Sequence, residues 1–307
     1  MSTDEKVQPV RLFHFSDIHL ALDRPGWQLR DLLNKRLPGW VNLRWVGRGK
    51  QFDNAAHIIV RLLEDVGHCR PDCLVFSGDA SALGFEKETA EAASILRVSE
   101  DRGIPGVAVP GNHDYYTRGA AGSDAFERCF AAWQKGKRLD DAIYPFARRI
   151  GPVWLVAVSS ATGNRWFWDA AGSVGADQLR RLEALFDALD PGPRILVTHY
   201  PVCLSSGEPE HRHRGLRDLH ELLEVVKRGR ICLWLHGHRH SAYHFARSSV
   251  ADFPIICAGS MTRAGNGSYG DYSVIGNRLH AIRRAFSSAD DKFLEVERFE
   301  LELPHAE

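Results

Sequence analysis

The chain has 307 residues, 44% of them hydrophobic and 25% charged, which is enough for one large α/β domain and leaves two smaller domains open on length alone. Lys plus Arg and Asp plus Glu balance at 39 each, which excludes a whole-chain field drawing it to nucleic acid or to an anionic membrane. Met1–Pro9 is polar and no apolar run reaches membrane-spanning length, so neither a signal peptide nor a transmembrane helix is expected, and the expected location is cytoplasmic.

A strand is expected at Val10–Phe15, followed by an irregular stretch from Leu20 to Lys50 and a helix over Phe52–Val66, where apolar residues recur at three and four positions. Cys73–Phe76, bounded by Pro71 and Gly78, reads as a buried strand; Glu86–Val98 reads as a helix and Gly106–Val109 as the next strand. The second half repeats this order with a strand at Val153–Val158, an amphipathic helix at Ala176–Leu189, a strand at Arg194–Val197, a helix at Leu216–Lys227 and a strand at Ile231–Leu235. Alternation then stops. Ser241–Ala246, Pro254–Ala258, Tyr272–Ile275, Leu279–Arg284 and Phe293–Leu303 read as successive strands of a meander, with turns at Gly265-Asn266-Gly267 and Gly276-Asn277. Alternating β and α followed by a meander predicts two packed sheets with helices outside. Cys69, Cys73, Cys129, Cys203, Cys232 and Cys257 are scattered without a Cys-x-x-Cys pair and read as reduced core residues.

Five short islands carry metal-binding side chains, each just after an apolar run: Asp17-Ile18-His19, Gly78-Asp79, Gly111-Asn112-His113-Asp114, Thr198-His199 and Gly237-His238-Arg239-His240. Strand ends of an α/β sheet are where ligands collect. In an extended strand end, residues two apart share a side, so Asp17 and His19 can face one metal, as can His238 and His240. Carboxylate oxygen plus imidazole nitrogen suits Mn, Fe, Co, Ni or Zn better than Mg or Ca, and the lack of a thiolate argues against a structural zinc. Two divalent ions held by two carboxylates leave an excess of roughly two positive charges, and a bridging hydroxide would remove one. Such a pocket attracts an anion, and a metal pair about 3.5–4 Å apart matches two oxygens of a phosphoryl group.

The series resembles the calcineurin-like metallophosphoesterase superfamily, whose pattern is Asp-x-His, Gly-Asp, Gly-Asn-His-Asp/Glu, His and Gly-His-x-His; the likeness spans about Val10 to Ile282 and misses no ligand position. Within it, the compact Gly-Asn-His-Asp island and the Cys257-Ala258-Gly259-Ser260 segment are most similar to bacterial class III cyclic-nucleotide phosphodiesterases and glycerophosphodiesterases. The resemblance implies a four-layer αββα sandwich of two mixed β-sheets flanked by helices, with two divalent or trivalent transition-metal ions (Mn, Fe, Zn or Co) at the strand ends. It implies a first metal on Asp17, His19 and His240, a second on Asn112, His199 and His238, and Asp79 bridging both. His113 would be the general acid, with Asp114 the partner that keeps it protonated, and the nucleophile would be metal-bound hydroxide. The purple acid phosphatase branch is a poorer likeness, since its charge-transfer tyrosine would fall where Ala82 stands.

The other histidines read as structural: His14 as a buried core or supporting residue, His57, His68 and His220 on or beside helices, and His236 as a strand residue. Two segments bear on specificity. Leu20–Gln51 carries seven Lys or Arg against two Asp, with Trp27, Trp40 and Trp45 interleaved; it is expected to be a surface excursion packed by its tryptophans, with a phosphate-binding lid and an amphipathic element resting on an anionic bilayer as functional readings. Ser205–Arg217 follows the candidate ligand His199, and its His211, Arg212, His213 and Arg214 are candidates for a phosphate clamp, with a solvated loop as the alternative.

The expectation is one metallophosphoesterase domain over 1–307, with a core of about 10–285, a 20–51 insertion and a 286–307 strand extension. Its activity is expected on small-molecule phosphoesters, with diesters preferred because a poor alkoxide leaving group gains most from an acid. Rivals are a phosphomonoesterase, a lipid-linked pyrophosphatase or phosphodiesterase at the membrane surface through 20–51, and a catalytically silent metal-binding interaction module. A nuclease is not expected, and the oligomeric state stays open.

Overall fold

In β1 (Val10–Phe15), Val10 and Leu12 enter one hydrophobic cluster while Phe13 and Phe15 enter another, so alternate residues leave the strand on opposite sides and both sides are buried. The computed structural model describes residues 8–99, 103–164, 166 and 168–304; Met1–Val7 of the polar N-terminal stretch and the last three residues of the 286–307 extension lie outside them. After β1 come α1 (Arg36–Trp45), α2 (Ala55–Cys69), β2 (Cys73–Phe76), α3 (Glu86–Ile95), β3 (Gly106–Ala108), α4 (Arg118–Ala121), α5 (Ala125–Cys129), β4 (Phe146–Ile150) and β5 (Val153–Ala157). The chain continues through α6 (Ala176–Ala188), β6 (Arg194–Val197), α7 (Leu219–Arg228), β7 (Leu233–His236), β8 (Tyr243–Phe245), β9 (Ile255–Cys257), β10 (Ser268–Ile275), β11 (Arg278–Ser287) and β12 (Lys292–Glu302).

The strands form two six-stranded mixed sheets, ordered β12-β11-β10-β1-β2-β3 and β4-β5-β6-β7-β9-β8. Between them lies a cluster drawn from both, including Leu12, Val75, Leu155, Val197 and Leu233. The outer face of the first sheet packs Phe13, Phe15 and Phe76 against Ile59 and Leu62 of α2 and Ala92 of α3, while the second packs Val156 and Trp234 against Leu182 of α6 and Leu222 of α7. Helix, sheet, sheet and helix make four layers. Parallel pairing of β1, β2 and β3, and of β5, β6, β7 and β9, sends the C-terminal ends of β1, β2, β3, β6 and β7 to the loops that hold the five islands.

Three expectations need correction. The last five strands do not form one meander: β8 and β9 extend the second sheet, and only β10 to β12 form a meander, on the first. β4, absent from the sequence reading, pairs antiparallel with β5 at the edge of the second sheet. The stretch read as irregular contains α1, whose Pro38 and Gly39 mask its helical pattern; Pro is tolerated in a first turn, and a Cβ on Gly39 would come within 2.4 Å of Tyr116 Oη. None of α1's residues is fully buried. Its Trp40 and Leu43 pack with Trp27 and Tyr116 against Leu83 and Phe85, and Arg36 binds Asp31 (2.6 Å).

Candidate metal centre

All seven predicted ligands come together in two adjoining lobes. In one, His19 Nε2 lies 2.8 Å from His240 Nε2, and Asp17 Oδ1 lies 3.6 and 3.2 Å from those two nitrogens. In the other, Asn112 Oδ1 lies 3.1 Å from His199 Nε2 and 2.8 Å from His238 Nδ1. Asp79 stands between: its Oδ2 is 3.3 Å from His199 Nε2 and 3.7 Å from His19 Nε2. Asp17, His19, Asp79 and His240 offer ligand atoms all within 4.8 Å of one another.

The backbone aims these groups differently from an extended strand end. Asp17, His19, Asp79, His238 and His240 all have φ between 51° and 73°, the left-handed region that non-glycine residues rarely occupy. Both members of each Asp-x-His or His-x-His pair are therefore turned out of a coil that begins after the strand has ended, and the alternation argument is superseded. Glycine permits the close approach of the segments: a Cβ on Gly111 would fall 2.1 Å from Asp79 Oδ1, and one on Gly237 would fall 1.9 Å from Ser16 Oγ.

Each carboxylate is held by one oxygen and presents the other. Asp17 Oδ2 accepts from the His238 backbone N–H (2.9 Å) and Asp79 Oδ1 from that of His113 (2.7 Å). Asp17 Oδ1 is then buried with no hydrogen-bond donor. His199 Nδ1 donates to Ser77 O (2.7 Å), so the lone pair of a neutral ring, on Nε2, faces the oxygens of Asp79 and Asn112. Electron-rich atoms crowded together in a buried site call for a cation, so the residues fit a metal. The charges agree. Burial opposes charge on His199, but Asp79 and Asp17 raise it to about 9; burial would raise Asp79, yet His199, His113 and His19 hold it well below the usual carboxylate range.

His113 lies beside the first lobe, its ring centroid 4.6 Å from that of His19. Its Nδ1–H donates to Ala82 O (2.6 Å), leaving Nε2 to accept from Arg48 Nη2 (3.1 Å). Asp114 is not its partner. The Asp114 carboxylate accepts instead from the backbone N–H groups of Asp79 (2.8 Å), Gly111 (2.9 Å) and Ser81 (3.0 Å), which locks the second island against the third.

A model of the calcineurin-like phosphoesterase family matches residues 10–242. The chain belongs to that family. It is 29% identical over 178 residues to a probable cyclic nucleotide phosphodiesterase from Synechococcus sp., an alignment spanning 56% of this chain and 59% of that protein. Among solved structures, a dimetal phosphatase from Danio rerio aligns over 96% of this chain and 99% of its own, at 15% identity and a TM-score of 0.64. A purple acid phosphatase from yellow lupin (Lupinus luteus) seeds aligns over 96% of this chain and 54% of its own, at 12% identity and a TM-score of 0.54. At these identities the two structures show a shared fold.

Other parts of this calcineurin-like phosphoesterase were read less well from sequence. His211, Arg212, His213 and Arg214 are exposed, and no hydrogen bond or ion pair joins their side chains to the seven ligand candidates. Their loop meets the centre through Glu210, whose Oε2 lies 2.8 Å from Nη1 of Arg239, the residue between His238 and His240. Sequence reasoning missed Arg48, one of seven basic residues in its segment with nothing to single it out. It also missed Phe52, whose ring lies 4.8 Å from that of His19, and Tyr200, 4.5 Å from His238. His14 and His236 are fully buried beneath the centre, bonded through one nitrogen each to Ser77 Oγ and Gly237 O, and burial lowers them to about 3 and about 4.

Proposed function

We propose that the chain hydrolyses phosphodiesters at a pair of transition metals, one held by Asp17, His19 and His240, the other by Asn112, His199 and His238, with Asp79 shared. The convergence of seven donor groups in two lobes around Asp79 Oδ2 carries this reading. When bound, the metals supply Lewis acidity toward the phosphoryl oxygens and a nucleophile at neutral pH. Asp17 and Asp79 fix their own geometry through one oxygen each, and Asp114 fixes Asp79 through its backbone, so the centre needs little rearrangement on loading.

The leaving alkoxide needs a proton, and His113 Nε2 is the atom placed to bring it. Its other nitrogen is fixed on Ala82 O, so Nε2 points at the site. Arg48 covers Nε2 in the resting chain, and burial holds His113 below the usual imidazole range; an incoming phosphoester anion competes for the guanidinium and by its charge favours uptake of a proton from solvent on the freed Nε2, which then passes to the leaving alkoxide. Arg48 thereby binds substrate and gates the acid. The diester preference is supported by this acid and by the name of the cyanobacterial relative, a probable cyclic nucleotide phosphodiesterase.

The test is turnover of bis-p-nitrophenyl phosphate and p-nitrophenyl phosphate by protein stripped of metal and reloaded with Mn, Fe, Zn or Co. Metal-restored diesterase activity is expected. Two bound metals with no turnover of either ester would replace this reading with a silent metal-binding module, and dominant monoesterase activity would reverse the preference.

A further inference from the structure

Both faces of α1 are apolar. Trp40 and Leu43 turn inward to the body of the protein. Leu37, Val41 and Trp45, spaced at four residues and so on one stripe, are exposed on the other side, Trp45 to 79%. The helical turn before α1 adds Leu29 at 85% and Leu33 at 91%, and Val46 follows at 75%. Seven of the fourteen exposed large hydrophobic residues among those described fall between positions 29 and 46. An apolar stripe left on the solvent side of a helix, flanked by Arg44 and Asn42, marks a docking surface, because no core covers it.

The charges of the same segment select the partner. Asp31 is paired with Arg36 and Asp23 with Arg44. Arg24, Arg30 and Lys50 are exposed and have no carboxylate partner among the described residues, in a chain whose net charge is zero. Positions 20–51 hold seven Lys or Arg against two Asp, a local excess of five positive charges beside the uncovered apolar side chains. Protein interfaces are depleted of Lys at their apolar centres, whereas helices lying in a membrane surface combine Leu and Trp with Arg and Lys. We infer that residues 29–50 dock on an anionic phospholipid bilayer, with the outer stripe of α1 at the boundary of headgroups and acyl chains and the unpaired cations among the anionic headgroups.

The same segment reaches the metal centre, since Arg48 binds His113. Between segment and body runs a cavity of about 700 Å³, lined by Arg30, Lys35 and Arg36 on one side and Thr117 and Arg118 on the other. A headgroup fits that space. Resting on the hydrolase reading above, the substrates are phosphoesters carried by a lipid.

The test is co-sedimentation of the full chain with vesicles of phosphatidylcholine alone or mixed with phosphatidylglycerol, for wild type and for Leu33→Ser/Trp45→Ser. The proposal predicts binding to the mixed vesicles, loss of most of it at about 1 M salt, where the Debye length is about 3 Å, and binding weakened roughly tenfold or more in the double variant. Bis-p-nitrophenyl phosphate turnover and melting temperature should not change in that variant. No binding to the mixed vesicles, or binding that the double variant keeps, overturns the inference. So does sedimentation velocity showing a dimer that the variant dissolves while vesicles are ignored, which would assign the face to a second copy. Vesicle binding is read equally well on metal-stripped protein, so an inactive hydrolase and an undocked one give different results.

Discussion

Asp17 and Asp79 each lie 1% exposed or less, with one oxygen tied to a backbone N–H from a different island; some thirty residues away, α1 buries none of its residues completely and is held by a few side chains along one face. One region is determined by its surroundings, the other mostly by its own sequence. The difference separates what the chemistry needs from what the choice of substrate needs. A cluster of acceptors around a cation tolerates little displacement, while a segment that meets a partner gains from surface left uncovered.

The comparison is broken most directly at Asp79. Asp79→Asn is expected to lower kcat/KM by roughly a thousandfold or more, as loss of several kcal/mol of transition-state stabilisation would, together with metal content measured by elemental analysis. A variant that keeps both metals and its rate would show that the two lobes do not depend on the shared carboxylate. Next in size is His113→Ala, expected to cost about a hundredfold or more on diesters with an alkoxide leaving group and less on bis-p-nitrophenyl phosphate, whose leaving group needs little help. Equal losses on both would remove the acid role.

Asp114→Asn tests the pinning itself, because that side chain touches the centre only through backbone. A loss of about ten- to a hundredfold in activity or metal affinity is expected, the size seen for groups supporting a ligand. On the loosely held side, Arg48→Ala should raise KM about tenfold with a smaller change in kcat, since one charge-assisted hydrogen bond is removed. Trp45→Ser marks the lower end, within about 0.5 kcal/mol of wild type in denaturant unfolding, against about 2–5 kcal/mol for Leu155→Ala between the sheets. A large cost at Trp45 would mean that the segment is part of the core after all.

The centre was legible because its chemistry needs particular atoms at particular strand ends. Asp17, His19, Asp79, Asn112, His199, His238 and His240 could be named from the order of islands alone, and the structure assembles them. The manner of assembly was not legible. Left-handed φ at five of them is a property of the folded loops, and no local signal distinguishes a ligand Asp after a strand from a capping one. The role of Asp114 differs for a related reason: adjacency to His113 suggests a side-chain pair, whereas the backbone N–H groups of Asp79, Ser81 and Gly111 claim its oxygens. The sheet order was half legible, since parallel strands with helices between them follow a rule, while the division of the last five strands depends on which edge each finds. Arg48 and α1 were hidden in a segment whose composition was noticed but whose register was not, because a Pro-Gly pair interrupts it.

The left-handed backbone at Asp17, His19, Asp79, His238 and His240 has an evolutionary side. These positions hold Asp and His, which enter the left-handed region less readily than Gly, while Gly has no side chain to coordinate a metal and Asn offers a neutral oxygen in place of a charged one or a ring nitrogen. Exchanging Asp or His for Asn here should therefore leave the fold as stable as before or more so. Drift that answered only to stability would erase such a centre first, so a centre of this kind lasts only under selection for metal binding.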